Sequence, residues 1–417
     1  MKHGEVTLEA EERGRDRLVR AVYRDTSLWI VFGVALIAVL RADSIAPAFP
    51  SLTQTLHLSS KSVGLLITVF ALPSVFLTPI LGVVADRWGR KYVLVPSLVL
   101  FGLAGGACSL VRRFDLLLVL RFFQGVGAAP LSMLNITLIA DLYDDDERTA
   151  AMGYNAALRS VGSTVFPILG GALATLGWYY PFALSLLAIP VALLVWLALK
   201  LPAPQDRQDL GQYLGQAWRS LQNWEIVGLF VAGCVVFITM FGAYLAYLPF
   251  LLKGTFGASS LVIGLMMSGR SIVNALIASQ LGRLTRFFAE STLLKASFVL
   301  YALVFVAIPW VPNLWMMGIL TFVLGTAEGL YWPSSQALLG ALAPAKHRAG
   351  FMALNDTVLK LGQTLGPLLM GGVFDRWGTT GVFSTAATFS LATALLLTAL
   401  TGHHGRRLAD KKGASPS

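Results

Sequence analysis

Residues 148–171 read RTAAMGYNAALRSVGSTVFPILGG, and residues 348–371 read RAGFMALNDTVLKLGQTLGPLLMG. At an offset of 200 the two strings pair Arg148 with Arg348, Met152 with Met352 and Asn155 with Asn355. They also pair Gly162 with Gly362, Pro167 with Pro367 and Gly171 with Gly371. The same offset, without a gap, matches Ser59, Ser60 and Gly64 to Ser259, Ser260 and Gly264, Gly82 to Gly282, and Gly125 to Gly325. Coincident leucines and alanines mean little in an apolar chain; coincident glycine, proline, asparagine and arginine mean more. The sequence therefore reads as two parallel copies of one unit.

The unit is hydrophobic. The 417 residues are 56% hydrophobic and only 13% charged, with a mean hydropathy of +0.69. A soluble domain carries roughly a quarter of its residues as charges. Half that fraction cannot coat a soluble surface of this size, so the surface is expected to face lipid. Apolar segments fall at about 27–50, 60–84, 92–111, 114–140, 149–176 and 179–200 in the first copy. In the second they fall at about 223–251, 259–283, 292–310, 313–342, 350–374 and 379–401. Each is long enough to cross a bilayer as a helix. Period-2 alternation is missing, which argues against a closed barrel, the other structure that satisfies its backbone in lipid. The expected architecture is an all-α membrane protein: twelve transmembrane helices in two pseudo-symmetric six-helix bundles, with the segments numbered here as spans 1 to 12. The expected divisions are an N-terminal tail 1–26, a first bundle 27–200, a connector 201–222, a second bundle 223–401 and a C-terminal tail 402–417. Two like halves enclose a cleft, and rocking them opens it to one side at a time.

The net charge of +10 sets the orientation. With the N-terminus inside, the inner segments hold 22 Lys/Arg and the outer loops hold five: Lys61, Arg112, Arg113, Lys253 and Arg376. That bias places both termini in the cytoplasm. The expected setting is the plasma membrane, the inner membrane of a bacterium, in which the protein is a multi-pass monomer surrounded by lipid, with no nucleic-acid partner. The N-terminus mixes acids and bases through Asp25, unlike a cleavable signal peptide, and the first span is expected to be retained. Glu5–Arg24 reads as a mobile tail or an interfacial helix. Cys108 and Cys234 lie within apolar runs and read as small buried residues rather than a disulfide. Asp144, Asp145, Asp146 and Glu147 read as a solvated loop. All five histidines (His3, His57, His347, His403 and His404) lie in tails or loops, and no phosphate-binding loop occurs. No metal site, cofactor or enzymatic activity is expected, and energy for transport has to come from an ion gradient.

Five basic and three acidic residues stand inside spans: Arg41, Arg121, Arg159, Arg270, Lys360, Asp43, Glu328 and Asp356. Ionisable groups at membrane depth are costly and usually face a cavity. A buried carboxylate with raised proton affinity can take up and release a proton as the cleft changes side. Asp43 stands about mid-depth close to Arg41. Glu328 is a candidate partner of Arg270. Asp356 precedes Lys360 by one turn, an i,i+4 pair. Aromatic residues cluster in span 7 (Phe241, Tyr244, Tyr247) and span 10 (Tyr331, Trp332). They can form a surface for flat, lipophilic or cationic molecules, or belong to an interfacial belt. Asn135, Asn274 and Asn355 are candidate hydrogen-bonding groups.

Three strings carry a resemblance. Gly82-Val83-Val84-Ala85-Asp86-Arg87-Trp88-Gly89-Arg90-Lys91 resembles the loop 2–3 signature of the major facilitator superfamily. The resemblance implies that Gly82 and Asp86, with Arg87, Gly89 and Arg90 in the turn, help to close the cytoplasmic side against the start of span 11, around Gly350. The plainer reading is a basic turn. Arg121-Phe122-Phe123-Gln124-Gly125-Val126-Gly127 resembles the arginine–glycine signature of proton-coupled members. There the arginine acts on a nearby acid; otherwise it snorkels to the outer interface. Gly162-Ser163-Thr164-Val165-Phe166-Pro167-Ile168-Leu169-Gly170-Gly171 is similar to the antiporter signature of span 5, with Phe166 where that pattern has glycine. The unbroken Gly362, Gly366 and Pro367 stand in span 11 instead. Gly162 and Gly170 share a face for close helix approach, and Pro167 removes a ladder bond.

The resemblance implies a major facilitator fold whose spans 1, 4, 7 and 10 line the cavity, which favours Asp43 and Glu328 as proton carriers. The expected activity is secondary active transport: proton-coupled efflux of lipophilic or cationic small molecules by drug:proton antiport. The alternative on the same fold is an uptake symporter or facilitator for a sugar or organic acid. A non-transporting membrane sensor or enzyme would leave the duplication without a purpose.

Overall fold

A computed structural model describes residues 25–40, 43–201, 224–342 and 348–413. Arg41, the N-terminal tail through Arg24 and the connector from Pro202 to Asn223 lie outside them. Among the described residues the chain is helical throughout, with ten helices long and apolar enough to cross a membrane. The last of these, Arg348–Gly413, bends at Gly378 and comprises spans 11 and 12. Thr26–Val39 is a shorter apolar helix. Counted with those two limbs apart, the described helices supply twelve apolar segments. Large apolar side chains point outward along them, such as Trp315, 87% exposed, and Leu395, 64% exposed. In water that surface would drive aggregation; in lipid it is at no disadvantage.

Local chemistry sets most breaks. Span 2 (Ser60–Trp88) turns into span 3 (Arg90–Cys108) across the single residue Gly89, whose φ is +100°. Gly378, at φ +61°, turns span 11 into span 12 in the same way. Only glycine adopts such angles without steric cost. The expected loop there is replaced by this one-residue corner, and the expected tail after 402 continues as helix to Gly413.

Span 1 is not the continuous helix expected over 27–50. It runs from Thr26 to Val39, breaks, and resumes as a 3₁₀ turn at Ala46–Ala48 and a helix at Phe49–Thr55. Pro47 has no N–H to donate to the Asp43 carbonyl, and Pro50 repeats the defect one turn on. Span 7 (Trp224–Phe256) departs from α geometry at the same depth, winding as a π-helix over Ile238–Leu245.

Asp25 anchors the start of span 1, accepting from Ser27 N–H at 2.8 Å and Tyr143 O–H at 2.6 Å. Burial pushes this carboxyl upward, but the bonds from Tyr143 and Ser27 outweigh it and hold the group below its ordinary value. This end of the bundle carries the described starts of spans 1 and 7 and the end of span 12.

At the opposite, far end the two halves meet through spans 2 and 11 and through spans 5 (Asp145–Leu176) and 8 (Ser260–Ser279). The meeting is backbone against backbone. A Cβ on Gly64 would stand 3.0 Å from the Pro367 carbonyl oxygen, and one on Gly264 would stand 2.2 Å from that of Pro167. One turn further in, Thr68 Oγ1 donates to the Thr364 carbonyl at 2.9 Å, and Ser268 Oγ to the Thr164 carbonyl at 2.5 Å. These two contacts are the same contact made twice, related by the offset of 200. Lys61 and Asp375 add an exposed ion pair across the halves at 2.5 Å.

A hydrogen bond contributes about 0.5–1.5 kcal/mol net. Removing both copies with Thr68→Val and Ser268→Ala is expected to shift the equilibrium toward an open far end by about tenfold. Spin labels at Ser59 and Trp377 measure this: the long-distance population grows, whereas an unchanged distribution would show that the hydroxyls do not hold this end.

Candidate functional site

Between the halves lies a cavity of about 230 Å³. Spans 1, 5, 7, 8 and 10 line it. Span 4, expected in the wall, contributes no lining residue, and spans 5 and 8 take that place. The reason is the Gly/Pro contact just described, which draws spans 5 and 8 together across the halves.

Among the described residues, four charged side chains face the cavity: Asp43, Arg159, Arg270 and Glu328. Asp43 arrives there because span 1 is broken at its level. The break has room because Gly170 has no side chain: a Cβ there would stand 1.7 Å from the Ser44 carbonyl oxygen. Gly162 likewise faces Leu36 of span 1, at 3.0 Å from its would-be Cβ, while Gly171 lies against the Ser260 carbonyl of span 8 at 2.5 Å. The glycines and proline of the span 5 string thus position span 1 and span 8 rather than touch the cavity.

Arg270 of span 8 and Glu328 of span 10 form the expected ion pair. The guanidinium also lies over the Tyr244 ring, 5.1 Å from its centroid. The charges of Glu328 and Asp43 both act on it. Burying two charges is repaid only when they are paired and hydrogen-bonded, and among the described residues Arg270 Nε is buried without a hydrogen-bond partner. The aromatic wall comes from the second half. Phe237 packs against Phe241 at 5.4 Å and edge-on against Trp332 at 5.9 Å.

Of the candidate substrate contacts, Tyr244, Trp332 and Asn274 line the cavity. Tyr247, Tyr331 and Asn135 do not. Tyr247 stacks on Phe374 at 4.8 Å, and Tyr331 packs against Phe298 at 5.9 Å, both buried in the second half. Asn135 is fully buried, donating to the Val31 carbonyl at 2.9 Å and accepting from Asn155 at 2.8 Å. It joins spans 1, 4 and 5. Asn355 is buried and also outside the lining.

Arg121 also lies outside the cavity, and it does not snorkel. It is 2% exposed, donating to the Leu66 carbonyl at 3.4 Å and to Gln124 Oε1 at 2.7 Å, with the Phe70 ring 4.1 Å away. Gln124 in turn donates to Ser185 at 2.8 Å. Among the described residues Arg121 makes no ion pair, so it ties spans 2, 4 and 6 together and has no acid beside it to act on. Asp356 is half-buried on span 11, which gives the cavity no residue.

Among the described residues, the loop 2–3 string makes these contacts within its own half. Arg90 bonds Asp141 and the Thr137 carbonyl of span 4 and lies 3.8 Å from Asp86. A Cβ on Gly82 would meet Met133, and Arg87 is exposed. The surroundings of Gly350, their expected partner, adjoin residues outside those described. Asp141 was not singled out by the sequence, because it closes an apolar run like any interfacial acid.

A duplicated helical bundle with a charged cavity on its pseudo-two-fold axis defines a membrane transporter of the two-domain kind. The sequence model of the Major Facilitator Superfamily matches residues 31–257 and 229–416, and the chain belongs to that family. It is 26% identical over 359 residues to multidrug resistance protein 1 of Bacillus subtilis (strain 168), covering 84% of this chain and 90% of that protein. It is 25% identical over 341 residues to the quinolone resistance protein NorA of Staphylococcus aureus (strain MRSA252), covering 79% and 85%. Among solved structures it resembles the nucleoside transporter NupG, with a TM-score of 0.74 at 16% identity, covering 90% of this chain and 99% of that one. Its relatives are transporters, not enzymes.

Breaking one member of a buried ion pair costs about 3–5 kcal/mol, more than removing both. Arg270→Gln and Glu328→Gln singly are each expected to lower the melting temperature of the purified protein more than the double substitution does. Strict additivity in a thermal-melt cycle would show the pair to be uncoupled.

Proposed function

We propose that the protein is a proton-coupled exporter of lipophilic or cationic small molecules. The observation that carries this reading is the inter-half cavity, in which the carboxylates Asp43 and Glu328 stand among aromatic rings and two arginines. The resistance proteins it resembles support efflux. The excess of Lys/Arg on one side supports cytoplasmic termini in a plasma membrane. In that orientation the far end faces outward, and the Gly64/Pro367 and Gly264/Pro167 contacts close it. The protein is then poised to take substrate from the inner side.

The bodies that move are the bundles 27–200 and 223–401, joined by the connector 201–222, within a single monomer. Glu328 holds Arg270 when ionised. Protonation from the outer side removes that hold, and the energy of a desolvated charge pair is exchanged for that of a neutral acid. A cationic substrate entering from the inside competes for the same negative groups, Asp43 and Glu328. Proton and substrate therefore occupy the cavity in turn, which is the requirement for antiport. The aromatic wall supplies apolar area and ring faces for a flat cation.

The test is transport in proteoliposomes under an imposed pH gradient, with lipophilic cations, sugars and organic acids compared. The unmodified protein is expected to move a lipophilic cation against the direction of proton flow. Asp43→Asn and Glu328→Gln are each expected to reduce gradient-driven accumulation at least about tenfold, the size of a lost charge-assisted contact. Full gradient-driven transport by both variants, or co-directional movement of proton and a sugar, would overturn the assignment.

A further inference from the structure

At the closed far end, the seam between spans 2 and 11 carries a second groove, of about 440 Å³, outside the transport cavity. We propose that it binds one anionic phospholipid of the outer leaflet, whose phosphate bridges Lys61 of the first half and Arg376 of the second and so clamps the far end shut. The leaflet rests on the orientation given above, with the far end outward.

The charges point to a phosphate. By the count that sets the orientation, the outer side carries five Lys/Arg, and two of them converge on this groove. Lys61 donates to Asp375 across the halves at 2.5 Å. An ammonium has three N–H donors, so that bond leaves others for a second anion. Arg376 is exposed and, among the described residues, makes no ion pair. Its planar fork pairs with a phosphate in two parallel bonds. Two cations and one acid leave the described rim one positive charge, the complement of a singly charged phosphodiester.

The depth points to a lipid rather than a free anion. Below the rim the groove is apolar, lined by Leu368, Leu369 and Val373, and both leucines are exposed. Leu368 and Trp377 are nine residues apart on span 11, ~14 Å along a helix axis. One leaflet of hydrocarbon is ~15 Å thick, half of a ~30 Å core. An acyl chain lying along these leucines therefore brings its phosphate to the level of Lys61 and Arg376, beside Trp377 at the interface.

The duplicate seam shows that closure does not require these charges. At an offset of 200, Lys61, Asp375 and Arg376 correspond to Leu261, Thr175 and Leu176. The packing is shared: a Cβ on Gly371 would stand 3.5 Å from Lys61 Cγ, and one on Gly171 would stand 3.1 Å from Leu261 Cα. Spans 5 and 8 thus close without a charged rim. A ligand that reaches both halves only when they are together binds the closed state more tightly and raises its population.

The test uses dioleoylphosphatidylglycerol and dioleoylphosphatidylcholine, equimolar in micelles with the purified full-length protein, and native mass spectrometry to read the ratio retained. The unmodified protein is expected to favour the glycerol lipid. Arg376→Gln is expected to lower that ratio about tenfold, the size of one lost charge-assisted contact, and Arg376→Lys to fall between. Lys253→Gln removes an exposed outer cation outside the groove and is expected to change nothing. In vesicles, spin labels at Ser59 and Gly254 are expected to show a larger short-distance population with the glycerol lipid than with the choline lipid, and Arg376→Gln to abolish that difference. Equal retention of the two lipids overturns the site, as does a ratio insensitive to Arg376→Gln or lowered equally by Lys253→Gln. Displacement of the lipid by an equal concentration of inorganic phosphate would make the groove a free-anion site and also overturns it. An unchanged distance distribution overturns the clamp. All of these leave proton-coupled export standing. The orientation is read separately, by labelling Ser59→Cys in intact cells with an impermeant maleimide; protection there overturns the outward assignment and does not alter the lipid ratio.

Discussion

The structure depends on one kind of contact, a glycine face set directly against the carbonyl of a proline within a facing helix, made once from each half. Gly64 meets Pro367, and Gly264 meets Pro167. A Cβ at Gly264 would collide with the Pro167 carbonyl at 2.2 Å, and one at Gly64 would press on the Pro367 carbonyl at 3.0 Å. With nothing between them, spans 2 and 11 and spans 5 and 8 approach as closely as helices can. The hydroxyl bonds from Thr68 and Ser268 sit one turn away and fix the rotation of each pair. These contacts close the far end, and the halves have to part there for the cavity to open to that side.

The cavity follows from that approach. Holding the halves together at one end leaves a gap at mid-depth, and the breaks in spans 1 and 7 open into it. What fills the gap is not symmetric. At an offset of 200, Asp43 corresponds to Ala243, Arg159 to Leu359, Arg270 to Phe70 and Glu328 to Ala128. Each of these four charges stands opposite a neutral residue in the other copy. The glycines and prolines that shape the fold are shared between copies; the groups that would handle proton and substrate are not. Duplication supplied the scaffold, and divergence of single positions supplied the chemistry.

Much of this was legible before the structure. The repeat, the spans and the pairing of Arg270 with Glu328 follow from composition, spacing and the cost of a lone charge in lipid. The span 1 break was also legible in principle, since Pro47 and Pro50 cannot serve a continuous helix at the level of Asp43. The π-helical turn of span 7 carried no such sign. Arg121 misled for a physical reason: a buried cation needs partners, but a carbonyl, an amide and a ring face serve as well as an acid, and sequence does not show which it finds. Tyr247, Tyr331 and Asn135 misled similarly, because an amphipathic side chain at cavity depth fits a helix–helix seam equally well.

The sequence by itself determined that this is a duplicated helical membrane protein with a few ionisable groups at mid-depth, because hydrophobicity, glycine spacing and lone charges act locally along the chain. Only the tertiary structure decided which of those groups share a cavity. Rotation of each helix about its axis is set by packing against neighbours from both halves. A turn of one residue, about 100° on an α-helix, separates a side chain in the cavity from one in a seam. Asp43, Arg159, Arg270 and Glu328 fall on one side of that division and Arg121 and Asp356 on the other, and it is the close approach at Pro167 and Pro367 that draws the line.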